Sequence, residues 1–226
     1  MITLLYYTAS KIEEYLGENV RKHLKSLGDY PIVSVSQKPL DFGRNICVGE
    51  IGQSYYNCYK QILIGAKAVK TKYVALCEDD TLYTKEHLNH RPATDKVFSF
   101  NKNTWYAEEQ EYWNKGWVGM CACIVATQYL IDTLTPRFEE FPKEIKGVNR
   151  YFQEPGRFDG AKTEYWYSKT PILTFNFFHT LGGKMDSKEN EVVSRQELAG
   201  WGDCWELKRK FWGRARPREK LKPRYA

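Results

Sequence analysis

Glu78, Asp79 and Asp80 stand together directly after Tyr73-Val74-Ala75-Leu76-Cys77, an apolar run of the kind buried on both faces of a parallel sheet. Carboxylates gathered in one crevice repel each other unless a cation joins them. Their oxygen chemistry suits a hard divalent ion, Mg²⁺ or Mn²⁺, with a diphosphate completing the shell. Ligands of open α/β sheets bind beyond the carboxyl ends of the strands, so a triplet at a strand end is expected to face a crevice and not bulk water. Aromatic residues are the second chemical feature. The chain carries 7 Trp and 16 Tyr, and Trp105, Tyr112, Trp113 and Trp117 gather just before Gly119. Sugars and unstacked bases both pack on aromatic faces. Trp113 and Trp117, flanked by Asn114, Lys115 and Gly116, are expected to line an exposed groove.

The elements that must position these groups can be read from periodicity. Ile2 to Thr8 is a β-favouring run. Ser10 then offers a cap for a helix with Ile12, Leu16, Val20, Leu24 and Leu27 on one face, stopped by Gly28. Pro31 to Gln37 reads as a second strand, followed by a loop from Lys38 to Gly52. Gln53 or Ser54 starts a second helix with Tyr55, Tyr59, Ile62, Leu63, Ala66 and Val69 on one face, and the apolar run before Glu78 is the third strand. The order is βαβαβ, which opens an α/β sheet with right-handed crossovers. Further on, Val97 to Phe100 and Met120 to Val125 read as strands, Gln128 to Leu134 as a helix, 137 to 163 as a helix followed by a long loop, and Thr170 to Thr180 as a late strand. His23, on the polar side of the first helix, and His87 and His90, in a charged loop, are read as structural.

The chain has 226 residues and a formal net charge of +6, with 42% hydrophobic residues, which excludes a disordered or fibrous protein. The charge is uneven. Residues 208 to 226 hold nine basic residues and one acid, giving +8 and leaving −2 for the rest. Two prolines and Gly213 argue against a regular helix there, so the expectation is a near-neutral globule with an irregular basic tail, able to meet phosphates. The six cysteines form no CxxC pair, although Cys121 and Cys123 would share a face on a strand; they read as buried hydrophobes of a reducing compartment. No run reaches the length of a membrane span and no signal-peptide pattern opens the chain, so a cytoplasmic location is expected, the host cytoplasm if a phage encodes it.

The Tyr-Tyr-Thr ending the first strand, the βαβαβ half and the acidic triplet together resemble the nucleotide-sugar-dependent glycosyltransferases of the GT-A fold, whose triplet is the DxD motif. More narrowly, residues 31 to 43, Tyr59-Lys60-Gln61-Ile62-Leu63 and Glu78 to Tyr83 resemble small phage-type glycosyltransferases. The likeness runs over about residues 2 to 90 and recurs at Phe178 to Gly182 and Gly200-Trp201-Gly202. The resemblance implies a single GT-A-type α/β domain over 1–207, an open, mostly parallel sheet flanked by helices, with a nucleotide-binding half (1–83), an acceptor half (84–207) and a tail (208–226). It implies that Tyr7, Thr8, Asp41 and Asp79 hold a nucleotide-sugar donor such as a UDP-sugar. Asp80, with Glu78 as its neighbour and His179 from the late strand, would hold Mn²⁺ or Mg²⁺. The base that takes the acceptor's proton would be an acid at a helix start before the final strand: Glu164 first, Asp159 second. Trp113, Trp117, Trp201, Arg214 and Arg216 are the expected acceptor-binding residues.

An aromatic wall beside a basic tail suits a polyanionic acceptor, and hydroxymethylated pyrimidines of phage DNA are the favoured reading. The alternatives are a transferase building surface polysaccharide with its tail on anionic lipid, a nucleotidyltransferase on a related sheet, and a DNA-binding module without catalysis. The nucleotidyltransferase normally uses a Gly-rich phosphate loop, and Thr8-Ala9-Ser10-Lys11 has no glycine. The binding module has no use for a crevice of acids.

Overall fold

The computed structural model describes residues 1–108, 110–114, 116, 118–145, 152–157, 159–176 and 193–213. Strand β1 (Ile2–Thr8) buries all seven side chains, because it lies at the centre of a sheet covered on both faces. Helix α1 (Glu14–Ser26) begins later than Ser10 and has no side-chain cap. The Ser10 hydroxyl instead accepts from the backbone N–H groups of Gln37 and Lys38, at 3.3 and 3.2 Å. Strand β2 (Ile32–Ser36) is followed by β3 (Arg44–Cys47), a short edge strand inside the expected loop. Helix α2 (Tyr55–Ala68) is capped by Ser54 as its sequence suggests. Gly65 lets it press onto the sheet, since a Cβ there would meet Leu5 Cδ1 at 2.2 Å.

After β4 (Tyr73–Glu78) come β5 (Thr81–Leu82), the short helix α3 (Lys85–Asn89), β6 (Phe98–Asn101), and the hairpin of β7 (Thr104–Glu108) and β8 (Glu111–Asn114). A 3₁₀ turn at Met120–Ala122 leads into β9 (Cys123–Ala126) and α4 (Thr127–Glu140), so Cys121 sits in the turn and only Cys123 in the strand. All six cysteines are free. The remaining elements are β10 (Thr163–Trp166), β11 (Ile172–Phe175), β12 (Val193–Arg195), β13 (Glu197–Leu198), β14 (Gly202–Asp203) and α5 (Cys204–Trp212). Helix α5 replaces the expected irregular tail over 208–212, and residues 214–226 lie outside the described residues. Asp203 caps it, Leu207 and Phe211 are buried, and Gly213 at φ 78° ends it, so the globule continues past residue 207.

The main sheet has seven strands in the order β10-β6-β9-β4-β1-β2-β3, parallel except for β9. This is the mostly parallel α/β sheet flanked by helices that the sequence suggests. A second sheet, β12-β8-β7-β11-β5, stands beside it. Alternation along β1 divides the core. Leu5 and Tyr7 join α2 and α4 on one face; Ile2, Leu4 and Tyr6 join Leu24, Phe42 and Tyr83 on the other. A third cluster seats α1 and α5 on the second sheet through Leu16, Val20, Leu173 and Phe211. Among the described residues no helix is long and apolar enough to cross a membrane.

Candidate functional site

The order of the main sheet reverses between β1 and β4: the chain steps outward from β1 to β2 and β3, then α2 returns it to β4 on the other side of β1. Strand ends diverge at such a reversal and leave a crevice. A cleft of about 200 Å³ opens there. Its walls are Tyr7 and Thr8 at the end of β1 with Lys11 beyond it, Ser54, Tyr55 and Cys58 at the start of α2 with Gln61 further along it, and Glu78 at the end of β4 with Asp79 and Asp80 beyond it. The second sheet adds Tyr106, Thr174 and Asn176, and the loop after α4 adds Glu154.

Each acid of the triplet is fixed differently. The Tyr7 hydroxyl donates to Glu78 Oε1 at 2.8 Å, and the Thr8 hydroxyl donates to Asp79 Oδ2. Thr8 Oγ1 also accepts from Ser10 N at 2.8 Å, so the turn after β1 and the acid after β4 form one unit. Asp80 is only 4% exposed; Thr81 donates to its Oδ1 at 3.1 Å, and Thr81 in turn meets Thr174 of β11 at 3.1 Å. Gln61, buried under the cleft floor, donates to Thr8 O and Val35 O and ties α2 to the ends of β1 and β2.

The electrostatics are those of acids with no buried countercharge in the cleft lining. Burial raises Glu78 to about 7, with the Tyr7 hydrogen bond opposing and Asp79 adding to the shift. Burial likewise raises Asp79 to about 6, against the Thr8 hydrogen bond and, as the smallest of its causes, Arg21, which does not line the cleft. Asp80 is pushed well above the usual carboxylate range by burial, Glu78 and Asp79. Among the described residues lining the cleft, Lys11 is the only basic one, and it is exposed. Buried carboxylates of this kind are stabilised by a bound cation. Among the described residues no three His, Cys, Asp or Glu side chains converge as a ready-made metal cage. Mg²⁺-type sites commonly take only one or two carboxylates and complete their shell with phosphate and water, and the donors here fit that pattern.

Several expected site residues lie elsewhere. Asp41 is exposed on a turn whose Phe42 is buried and held by a Ser34 hydroxyl donating to Phe42 O at 2.7 Å, so it does not line the cleft. Glu164 is not at a helix start. It lies in β10 at the edge of the main sheet, where Oε1 accepts from Ala93 N at 3.0 Å and sits 3.9 Å from His90 Nε2, away from the triplet. Asp159 pairs with Arg137 and its Oδ1 accepts from Gly156 N and Ala161 N, so it secures the loop after α4 without itself lining the cleft. Trp201 packs on His23 and donates to Pro171 O at 2.8 Å, which uses it in the α1–α5 region. His23 is itself drawn inward, its Nε2 2.8 Å from Tyr83 O. Trp113 is half-buried and paired across the hairpin with Tyr106, so the two share a face, but only Tyr106 lines the cleft. His179, Trp117, Arg214 and Arg216 lie outside the described residues.

Glu154, Gln61 and Asn176 were not singled out by sequence reasoning. Gln61 carried a signal, an amide four residues after Asn57 among the apolar positions of a helix. Glu154 carried none, since only the path of the loop after α4 brings it to the cleft.

No protein-family model matches the chain, and no curated protein does. Solved structures that it is similar to include a nucleotidyl transferase from Methanothermobacter thermautotroptrophicus, at 14% identity over 76% of this chain and 88% of that one, TM-score 0.48. The glycosyltransferase GlyE of Streptococcus pneumoniae matches at 11% identity over 73% of this chain and 44% of GlyE, TM-score 0.49. A glycosyltransferase involved in the glycosylation of the major capsid of PBCV-1 matches at 12% identity over 76% of this chain and 92% of its own, TM-score 0.42. The structural neighbours are thus glycosyltransferases and nucleotidyl transferases, and this chain spans less than half of GlyE.

Proposed function

We propose that the protein is a metal-dependent glycosyltransferase that moves a sugar from a nucleotide diphosphate donor to a hydroxyl acceptor. The observation that carries this reading is the placing of three partly or fully buried carboxylates, without a buried countercharge among the cleft residues, at the end of β4, beside the end of β1 where the sheet order reverses. Asp80 and Asp79 would hold Mn²⁺ or Mg²⁺, and Glu78, tied to Tyr7, would shape the site beside them. The bound ion would neutralise charge developing on the departing diphosphate. Tyr7, Thr8 and the start of α2 would hold the nucleoside, and Gln61 keeps those strand ends in place. Tyr106 at the cleft, with Trp113 beside it on the hairpin, would supply an aromatic wall on which an acceptor ring could stack.

The favoured acceptor is a hydroxymethylated pyrimidine in DNA, supported by that wall and by the +8 charge of residues 208–226. The test is to incubate the protein with Mn²⁺, a panel of UDP-, GDP- and CMP-sugars and an oligonucleotide carrying 5-hydroxymethylcytosine, reading released nucleotide and oligonucleotide mass. Turnover of a donor with a mass gain on the DNA is the expected result. Turnover without that gain moves the acceptor to another hydroxyl compound, and no turnover of any donor overturns the reading. Removing residues 214–226, which spares α5, should weaken DNA binding and flatten its salt dependence in a filter-binding titration.

A further inference from the structure

The cleft contains a fourth carboxylate that reaches it from a separate segment, and that segment is unusually well secured for a loop. Phe152 is 5% exposed and packs on Tyr56 and Phe138 with ring centroids 4.8 and 5.2 Å apart. Arg137, buried on α4, donates from Nη1 to Gln153 O at 3.0 Å, lies 5.6 Å over the Tyr59 ring, and pairs through Nη2 with Asp159. Asp159 turns back to accept from Gly156 N at 2.7 Å and Ala161 N at 3.0 Å. Glu154 lies between the anchored Gln153 and Gly156, and it is the only cleft carboxylate among the described residues outside the triplet.

We infer that Glu154 is the residue that accepts the acceptor's proton, and that Arg137 and Asp159 are positioning residues that brace the loop presenting it. The inference rests on the transfer reaction proposed above. In that step the acceptor O–H bond breaks, its proton passes to the Glu154 carboxylate, and the oxygen's electron pair forms the bond to the anomeric carbon. The bond from that carbon to the phosphate oxygen breaks at the same time, and its electron pair leaves on the nucleotide diphosphate. Triplet and brace then divide the work: one holds the donor, the other addresses the acceptor.

The experiment uses the full chain with UDP and Mn²⁺ as the binding probe, by calorimetry, and Mn²⁺-dependent hydrolysis of the sugar-donor panel as the kinetic probe, with water in the acceptor's place. Glu154→Gln should keep UDP·Mn²⁺ affinity within about twofold and lower kcat by roughly 10² to 10⁴-fold. Asp159→Asn should lower kcat by about tenfold with KM unchanged, and Asp159→Glu, which keeps the charge and the acceptor oxygens, should recover part of that loss. Wild-type turnover in Glu154→Gln overturns the assignment while leaving the proposed transferase standing. A wild-type protein that neither binds UDP·Mn²⁺ nor hydrolyses any donor overturns the transferase itself, and the assignment with it. A fall in kcat matched by an equal loss of thermal stability in both Asp159→Asn and Asp159→Glu assigns the brace to folding alone and overturns its positioning role.

Discussion

The acids after β4 and the acids of the β10 region are the same residue types in opposite circumstances. Glu164 and Asp159 each answer to backbone N–H groups, and Asp159 also to a guanidinium. Glu78, Asp79 and Asp80 answer mainly to single hydroxyls and to one another. An acid with a full set of donors contributes to the fold, whereas a group of buried acids without countercharge weakens the fold and persists where a ligand offsets the cost. The contrast separates holding the chain from holding a substrate, and it can be tested from both sides.

The largest effect belongs to the triplet. Asp80→Asn should reduce Mn²⁺-dependent UDP binding by more than about 100-fold while raising thermal stability by about 1 kcal/mol, because it removes a buried acid that nothing neutralises. Calorimetry and a melting curve on the same sample read both numbers. A variant that loses stability and keeps its affinity would place Asp80 with the structural acids.

Asp159→Asn sits on the other side of the contrast and should cost about 1 to 2 kcal/mol, since the buried Arg137 loses its charged partner near the surface. The loss should depend on pH. Burial tends to raise Asp159, but the hydrogen bonds from Arg137, Gly156 and Ala161 prevail and hold its carboxyl below the usual value. A depressed pKa means that its stabilisation is present above the unfolded carboxylate value, near pH 4, and is lost as pH falls through the lower folded value. Denaturant midpoints of wild type and variant should therefore differ at pH 7 and draw together as pH falls below the unfolded carboxylate value. A constant gap would show that packing, not charge, is what the substitution removes.

The same contrast explains what could be read in advance. The first half of the chain announces itself because β1, β4 and α2 are buried on the faces their apolar spacing marks, and the position of Glu78-Asp79-Asp80 follows from the strand before it. Strand β3 was missed because Arg44-Asn45-Ile46-Cys47 is a half-exposed edge with no alternation to see. Helix α5 was hidden by its basic composition, although Leu207 and Phe211 stand four apart on its buried face. The stretch Thr163-Glu164-Tyr165-Trp166 mimicked a helix start because the donors that fix Glu164 belong to a segment seventy residues away. Local pattern finds groups fixed by their own element; it cannot find Glu154, which is placed by long-range packing.

Ser10 supports the triplet side of the contrast, being the one non-glycine residue with positive φ, 55°, among the described residues. Its N–H meets Thr8 beside Asp79, and its hydroxyl receives the N–H groups after β2. Glycine relieves the backbone strain and forfeits those two acceptor contacts. Ser10→Gly should therefore leave stability within about 1 kcal/mol, while weakening UDP·Mn²⁺ binding severalfold through a looser turn. Unchanged affinity would mean that Thr8 and Asp79 need no support from that turn.

The smallest effect is expected at Glu164, and for that reason it is the sharpest check on the division. Glu164→Gln retains an oxygen to accept from Ala93 N and gives up only the charge facing His90 at 3.9 Å. His90 is lowered by burial, with Glu164 opposing, and stacks on Trp166 at 3.9 Å, so its ring is held by contacts that the substitution leaves intact. Donor hydrolysis should stay within about twofold and stability within about 0.5 kcal/mol. A Glu164→Gln protein that binds UDP·Mn²⁺ normally but turns over a hundredfold more slowly would erase the distinction between the two sets of acids and return the acceptor chemistry to β10.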